Sequence, residues 1–203
     1  MARIIAVTNQ KGGVGKTTTS INVAYFLSKM GKRTLIIDFD PQGNATSGLG
    51  IDKQELGATM TEVIMRQTRL AKVVLPTEYK DLYLAPSTSH LANTEVELAQ
   101  ADGRFARLRE ALNGVIDYDY IIIDSPPSLS LLTVNGLVAA DYVLLPVQAE
   151  FYALEGLGQL LESMKLIRKG LNPSLKLLGV LPTMMDSRTT QLEIGRASCR
   201  ERV

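Results

Sequence analysis

The residues best suited to chemistry lie in a glycine-rich stretch near the start of the chain. Residues 11–19 read Lys-Gly-Gly-Val-Gly-Lys-Thr-Thr-Thr. Because glycine has no Cβ atom, such a backbone can turn several N–H groups inward around a chain of phosphates. The spacing predicts that Lys16 reaches the β- and γ-phosphates and that the Thr17 hydroxyl coordinates Mg²⁺. The predicted nucleotide-binding residues are Gly12, Gly13, Val14, Gly15, Lys16, Thr17 and Thr18.

The stretches on either side of this loop must hold it in place. Residues 3–8 form a short apolar run typical of a buried strand, and residues 18–30 carry apolar side chains spaced for one face of a helix. A phosphate bound in the loop would lie at the positive N-terminal end of that helix. Strand, glycine loop and helix in this order favour a phosphate site over a glycine-rich turn without a ligand.

Three aspartates follow two other apolar runs. Asp38 and Asp40 lie at the end of a predicted strand over residues 33–39, and Asp124 closes the continuous apolar run Tyr120–Asp124. Ligands of α/β sheets bind beyond the carboxyl ends of the strands, so we expect all three carboxylates near the phosphate loop. Asp124 is predicted to hold Mg²⁺ directly or through water, as in a Walker B strand. For Asp38 and Asp40 a second interpretation stays open, since two solvated acids at a strand end give the same pattern.

The rest of the chain alternates strand and helix patterns. They predict strands over residues 72–75, 81–85, 142–147 and 176–182, and helices over residues 59–66, 95–100, 104–113, 129–140 and 152–169. The predicted fold class is therefore α/β, with a P-loop NTPase-like, mainly parallel sheet flanked by helices.

Composition excludes several classes of protein. The chain has 203 residues, of which 45% are hydrophobic, enough for one well-buried domain. No apolar run approaches the about 20 residues of a membrane span, and the chain enters its first strand without a signal peptide, so we expect a cytoplasmic protein. The net charge of +1 gives no global reason to bind nucleic acid. The single cysteine excludes an internal disulfide.

The phosphate loop departs from the standard Walker pattern, because Gln10 stands in place of its first glycine and Lys11 follows. This arrangement resembles the deviant Walker A motif of the ParA/MinD family of ATPases. Residues 38–44, Asp-Phe-Asp-Pro-Gln-Gly-Asn, and residues 124–127, Asp-Ser-Pro-Pro, are similar to the switch I and switch II segments of that family. The resemblance implies that Lys11 reaches the nucleotide of a partner subunit, that Asp40 orients or activates the attacking water, and that Asp38 supports the Mg²⁺ shell.

Residues 146–156 and 183–189 closely resemble the ParA/Soj-type partition ATPases of this family. The resemblance implies an ATPase that forms an ATP-dependent homodimer with Mg²⁺, binds DNA non-specifically and is stimulated by a ParB/Spo0J-type partner, in a cytoplasmic, nucleoid-associated location without membrane binding. Lys165, Arg168, Lys169 and Arg188 could form the basic patch that DNA binding needs. The alternative for these side chains is an ordinary solvated helix face.

Three other functions stay open at this point. A MinD-type positioning ATPase shares the loop but holds the membrane with a C-terminal amphipathic helix, which the sequence does not contain. A reductase such as the nitrogenase iron protein needs cysteines at its dimer axis, and the only cysteine lies near the C-terminus. A regulator could also bind nucleotide as a switch without hydrolysing it.

The resemblance ends near residue 192. Residues 193–203 have no apolar period and resemble an in-frame translation of a common short-read sequencing adapter, although their three arginines also allow a basic nucleic-acid arm. We therefore predict one ATPase domain over residues 1–192 and a non-native, disordered tail over residues 193–203. Because the family continues with further strands and helices, we expect a fold that is incomplete at the C-terminus, with one side of the sheet not fully covered.

Overall fold

In the computed structural model, residues 2–148 and 153–185 are described. The strands are β1 (Arg3–Val7), β2 (Thr34–Asp38), β3 (Leu75–Pro76), β4 (Leu82–Ala85), β5 (Tyr120–Asp124), β6 (Tyr142–Gln148) and β7 (Lys176–Thr183). The helices are α1 (Lys16–Lys29), α2 (Asn44–Gly48), α3 (Met60–Ile64), α4 (His90–Leu98), α5 (Arg107–Leu112), α6 (Leu131–Ala139) and α7 (Ala153–Gly170).

Within these described ranges, the strands form one seven-stranded sheet in the order β3-β4-β2-β5-β1-β6-β7. All neighbouring strands run parallel except β3, which is antiparallel to β4. The register pairs Asp124 with both Asp38 and Val7, so the ends of β2, β5 and β1 meet at one edge. The predicted α/β fold with a mainly parallel sheet is confirmed.

Apolar side chains on both faces of the sheet explain its continuous hydrophobic runs. Successive residues of β2 alternate between two buried clusters, with Leu35 and Ile37 on one face and Ile36 on the other. The first cluster includes side chains of α3 to α7, and the second includes side chains of α1 and α2. The phosphate loop and the three aspartates lie at the rim of this double-sided core.

Some predicted boundaries are wrong. The strand expected over residues 72–75 is replaced by a 3₁₀ turn, Leu70–Lys72, and β3 contributes only two residues. Leu70 and Val73 are buried as part of this turn, so their apolar character reflects packing and not a strand. Helix α4 begins at His90, five residues before the predicted start, and the residue ahead of it, Ser89, already has helical backbone angles.

Strand β7 is the edge of the sheet beside β6, and much of its apolar surface faces solvent. Leu177, Leu178 and Leu181 are 44%, 51% and 39% exposed. This agrees with the expectation that one side of the sheet is not fully covered. Arg188 and residues 193–203 lie outside the described residues, so the predicted domain boundary and tail remain predictions.

Candidate nucleotide-binding site

The predicted phosphate loop joins β1 to α1 and forms an open cradle. Gly13 and Gly15 have φ angles of 74° and 84°, which side chains with a Cβ rarely adopt, and Gly15 precedes the first residue of α1. A Cβ atom added at Gly12 or Gly13 would meet nothing within 4 Å, so this side of the loop is open. The N-terminus of α1 points into this space, and no acidic residue occupies its first turn.

Two polar side chains fix the loop, one at its own start and one at the end of β7. Asn9 donates from Nδ2 to the Pro146 carbonyl at 2.7 Å, and its Oδ1 accepts from the backbone N–H of Lys11 at 3.0 Å. Thr183, at the end of β7, donates from Oγ1 to the Val14 carbonyl at 2.9 Å. The sequence did not identify either residue as part of the site. Asn9 adjoins the glycine stretch and could have been noticed, whereas Thr183 is 169 residues from its partner.

Lys16 folds back over the loop. Its side chain is buried, and its Nζ donates to the Lys11 carbonyl at 2.9 Å. Burial lowers the pKa of the Lys16 ammonium, although the negative charges of Asp124 and Asp40 act to raise it. The ammonium is therefore held next to the loop and faces carboxylates. The side chain of Lys11 is exposed at the start of the loop.

Asp124 is the centre of a buried oxygen cluster. Its Oδ2 accepts from the Thr17 hydroxyl at 2.7 Å and its Oδ1 from the Ser20 hydroxyl at 2.8 Å, with no solvent exposure of the residue. Burial raises the pKa of Asp124 to about 7, with the Thr17 hydrogen bond opposing the rise and the Asp38 charge adding to it. Ser20 was not predicted as part of the site. It lies three residues after Thr17 on the same face of α1, and that spacing could have indicated it.

Asp38 is fully buried and holds the loop that follows β2. Its Oδ2 accepts from both the backbone N–H and the hydroxyl of Thr46 at 2.7 Å, and its Oδ1 accepts from the N–H of Asp40 at 3.3 Å. The Thr46 hydroxyl in turn accepts from the N–H of Ser87 at 3.0 Å. Burial raises the pKa of Asp38 to about 6, although the Thr46 hydrogen bonds lower it. The interpretation of two solvated acids is therefore wrong.

Asp40 is 5% exposed, and its carboxylate closes a tight turn by accepting from the N–H of Gln42 at 2.9 Å. The N–H of Gly43 donates to the Asp40 carbonyl at 2.9 Å. The charge of Asp40 acts on Lys16 and on Asp124. The structure thus brings Asp40 to the same site as the phosphate loop.

Not every predicted residue lies in this cluster. Thr18, predicted to bind nucleotide, is exposed on α1, and its carbonyl accepts from Asn22. Of the predicted basic patch, Lys165, Arg168 and Lys169 are exposed on α7. Lys165 lies 2.5 Å from a Glu162 oxygen, so part of its charge is already balanced.

The donor set fits a nucleotide with Mg²⁺. The part of the chain that the structure describes has no cluster of three histidine, cysteine or acidic residues arranged to hold a metal by themselves. Hydroxyl and carboxylate oxygens from Thr17, Ser20 and Asp124 are nonetheless the hard ligands that Mg²⁺ prefers, and this ion usually takes further ligands from phosphates and water. The open glycine cradle next to them has room for those phosphates.

Comparisons with known proteins identify relatives that cover most of the chain. A family model described as AAA domain matches residues 2–177. The chain is 52% identical over 189 residues to the chromosome partitioning protein ParA of Myxococcus xanthus, covering 93% of this chain and 67% of that protein. It is 51% identical over 190 residues to the sporulation initiation inhibitor protein Soj of Bacillus subtilis, covering 93% and 75%.

A solved structure agrees closely with the fold. Cobyrinic acid a,c-diamide synthase from Mycobacterium smegmatis, solved with bound ADP and magnesium, gives a TM-score of 0.93 at 41% identity and covers 100% of this chain and 82% of its own. Among the residues that the structure describes, no helix is long and apolar enough to cross a membrane.

Proposed function

Because the chain belongs to the AAA-domain family that includes the partition ATPases ParA and Soj, we propose that it is the nucleotide switch of a DNA-partition system. It is an ATPase with ATP and Mg²⁺ as ligands. The observation that carries the proposal is the convergence of Lys16, Thr17, Asp40 and Asp124 at the rim of one sheet. The synthase structure supports nucleotide and magnesium binding, and the partition role rests on the closer sequence relatives.

We assign nucleotide binding to the glycine cradle, with backbone N–H groups of residues 12–18 around the phosphates. Lys16 exchanges its bond to the Lys11 carbonyl for phosphate oxygens, which favour the charged ammonium and offset its burial. Thr17 and Asp124 hold the metal side of the nucleotide, since their oxygens already lie 2.7 Å apart. When bound, Mg²⁺ neutralises charge on the phosphates during phosphoryl transfer.

Asp40 is assigned to the attacking water. Its carboxylate is buried, is held by the N–H of Gln42 and is close enough to Lys16 for their charges to interact. Asp38 helps to hold Asp40 in place, because it accepts a hydrogen bond from the N–H of Asp40 and anchors the same loop through Thr46. A carboxylate fixed in this way can orient a water molecule or accept its proton.

We further propose a partition cycle that uses the same loops. With Mg·ATP bound, Lys11 reaches the nucleotide of a second copy and closes a homodimer, which binds DNA non-specifically through basic surfaces such as Lys165, Arg168 and Lys169 and places the protein on the nucleoid. A ParB-type partner then stimulates hydrolysis and release. A charged group acting in trans is worth about 10³- to 10⁵-fold in rate in related phosphoryl transfer, so basal turnover is slow.

Two variants test these assignments. Asp40→Asn should bind Mg·ATP normally but show little hydrolysis in a single-turnover experiment. Lys11→Ala should still bind Mg·ATP but lose ATP-dependent dimerisation, measured by sedimentation. Lys32→Ala changes an exposed lysine just beyond the C-terminal end of α1 and serves as the control. Unchanged turnover in Asp40→Asn, or unchanged ATP-dependent dimerisation in Lys11→Ala, would overturn the corresponding assignment.

A further inference from the structure

Lys53 contacts the loop that carries Asp40, although it belongs to none of the motifs described above. Its ammonium Nζ donates to the backbone carbonyl of Gln42 at 2.7 Å. The backbone N–H of the same residue, Gln42, donates to the Asp40 carboxylate at 2.9 Å. Gln42 thus binds Lys53 through its carbonyl oxygen and Asp40 through its N–H.

Lys53 also lies close to the next residue in the loop, Gly43. Gly43 has a φ angle of 61°, and a Cβ atom added there would lie 2.7 Å from both Cε of Lys53 and the carbonyl oxygen of Ser87. The aliphatic end of Lys53 and the backbone of Ser87 therefore both crowd the position that a Cβ atom of residue 43 would occupy. This close approach requires glycine and leaves the loop little freedom to shift.

Lys53 is itself well anchored. It begins a 3₁₀ turn, Lys53–Glu55, whose preceding residue Asp52 accepts from the N–H of Gln54 at 2.9 Å. The N–H of Ile51 donates to the Thr46 carbonyl at 3.2 Å, which ties this turn to helix α2. The Lys53 side chain that contacts Gln42 therefore extends from a hydrogen-bonded turn that is tied to α2.

We propose that Lys53 is a positioning residue for hydrolysis, which acts by fixing Gln42, the residue whose N–H orients the Asp40 carboxylate. This inference rests on the role proposed above for Asp40. A shift of about 1 Å in a catalytic group can reduce a rate by up to about a hundredfold without changing the chemistry itself. Because Lys53 contacts the Asp40 loop and not the phosphate cradle, its loss should reduce the hydrolysis step and leave nucleotide affinity unchanged.

The test compares Lys53→Met with Lys53→Arg and with the control Lys72→Met, which changes an exposed lysine in a similar 3₁₀ turn. We expect Lys53→Met to lower the single-turnover rate about tenfold with the Kd for Mg·ATP unchanged. Lys53→Arg keeps a charged donor and should retain most of the rate, and the control should match the wild type. An unchanged rate in Lys53→Met, or a proportional loss of ATP affinity, would overturn the inference.

The same substitution in an Asp40→Asn background separates this inference from the proposed function. If Lys53 acts through Asp40, adding Lys53→Met to Asp40→Asn should not lower the residual rate further, and an equal loss in both backgrounds would exclude that mechanism. If Asp40→Asn alone left the rate unchanged, the proposed role of Asp40 would fail, and this inference with it. Should Lys53→Met not fold, Lys53→Gln, which is uncharged and too short to place a donor where the Lys53 ammonium lies, takes its place in the same comparison.

Discussion

Replacing Asp124 with asparagine should stabilise the nucleotide-free protein at neutral and alkaline pH. The Asp124 carboxyl has no solvent exposure, and burial raises its pKa from the ordinary 3.8 to about 7. Between these two values the folded protein keeps the proton while the unfolded chain loses it. Because the folded state then binds more protons, stability falls as the pH rises from about 4 to about 7, and it levels off above.

The size of the effect follows from the same two pKa values. A folded pKa of about 7 against 3.8 corresponds to about 4 kcal/mol of lost stability once the pH exceeds 7. Asparagine has a similar shape and cannot ionise, so Asp124→Asn avoids this loss. At pH 5 only part of the loss has developed, so the advantage of the variant should grow by about 2 to 3 kcal/mol between pH 5 and pH 8.

Urea unfolding without nucleotide or Mg²⁺, at pH 5 and at pH 8, measures this difference directly. Asp117→Asn removes an exposed carboxylate of the same kind and is the matched control. Addition of Mg·ATP at pH 8 should reverse the order of stability, because the variant lacks the charged oxygen proposed to bind the metal. If the advantage of Asp124→Asn were the same at both pH values, the argument from burial would be refuted.

Three further substitutions test two contacts in the site and one contact away from it. Thr46→Val removes one of the two donors to Asp38 Oδ2 and leaves the N–H of Ser87 without its partner, so urea unfolding should show a loss of about 1 to 3 kcal/mol, and a loss below about 0.5 kcal/mol would contradict the observed bonds. Ser20→Ala removes one donor to the buried carboxylate of the metal cluster, and we expect about 1 to 3 kcal/mol less stability at pH 8. Asn172→Ala removes the amide that donates to the Ala140 carbonyl at 2.7 Å, so stability should fall by about 2 kcal/mol while the single-turnover rate stays that of the wild type, and a lower rate would show that this contact influences the site.

Much of the fold was predictable because strands that are buried on both faces of a sheet have continuous apolar sequences. Strand β5 was predicted with its observed bounds, since a run of isoleucines closed by Asp124 leaves no other boundary. The loop and its glycines were equally clear, because few other backbones need glycine at those positions. Helix α1 begins at Lys16, two residues before the predicted start and directly after Gly15, which has a positive φ angle.

The contacts that give the site its character were beyond reach of sequence patterns. Asp38 was expected near the metal, but its two bonds to Thr46, and the link from there to Ser87 across 41 residues, depend on how the loops pack. The bond from Thr183 to Val14 joins residues from the two ends of the described chain. Such polar contacts have no period and no fixed spacing, so only the tertiary structure reveals them.

The electrostatics of the site explain why nucleotide can act as a switch. Three buried carboxylates, from Asp38, Asp40 and Asp124, share the rim of the sheet with the ammonium of Lys16, whose own hydrogen bond goes to the Lys11 carbonyl. Burial disfavours the charged form of Asp38 and of Asp124, and repulsion from the charge of Asp40 adds to the effect at both. A ligand with a metal ion removes part of that repulsion, and it does so only in the conformation that binds it. Binding energy is therefore available to shift the population of loop conformations, as a nucleotide-controlled cycle requires.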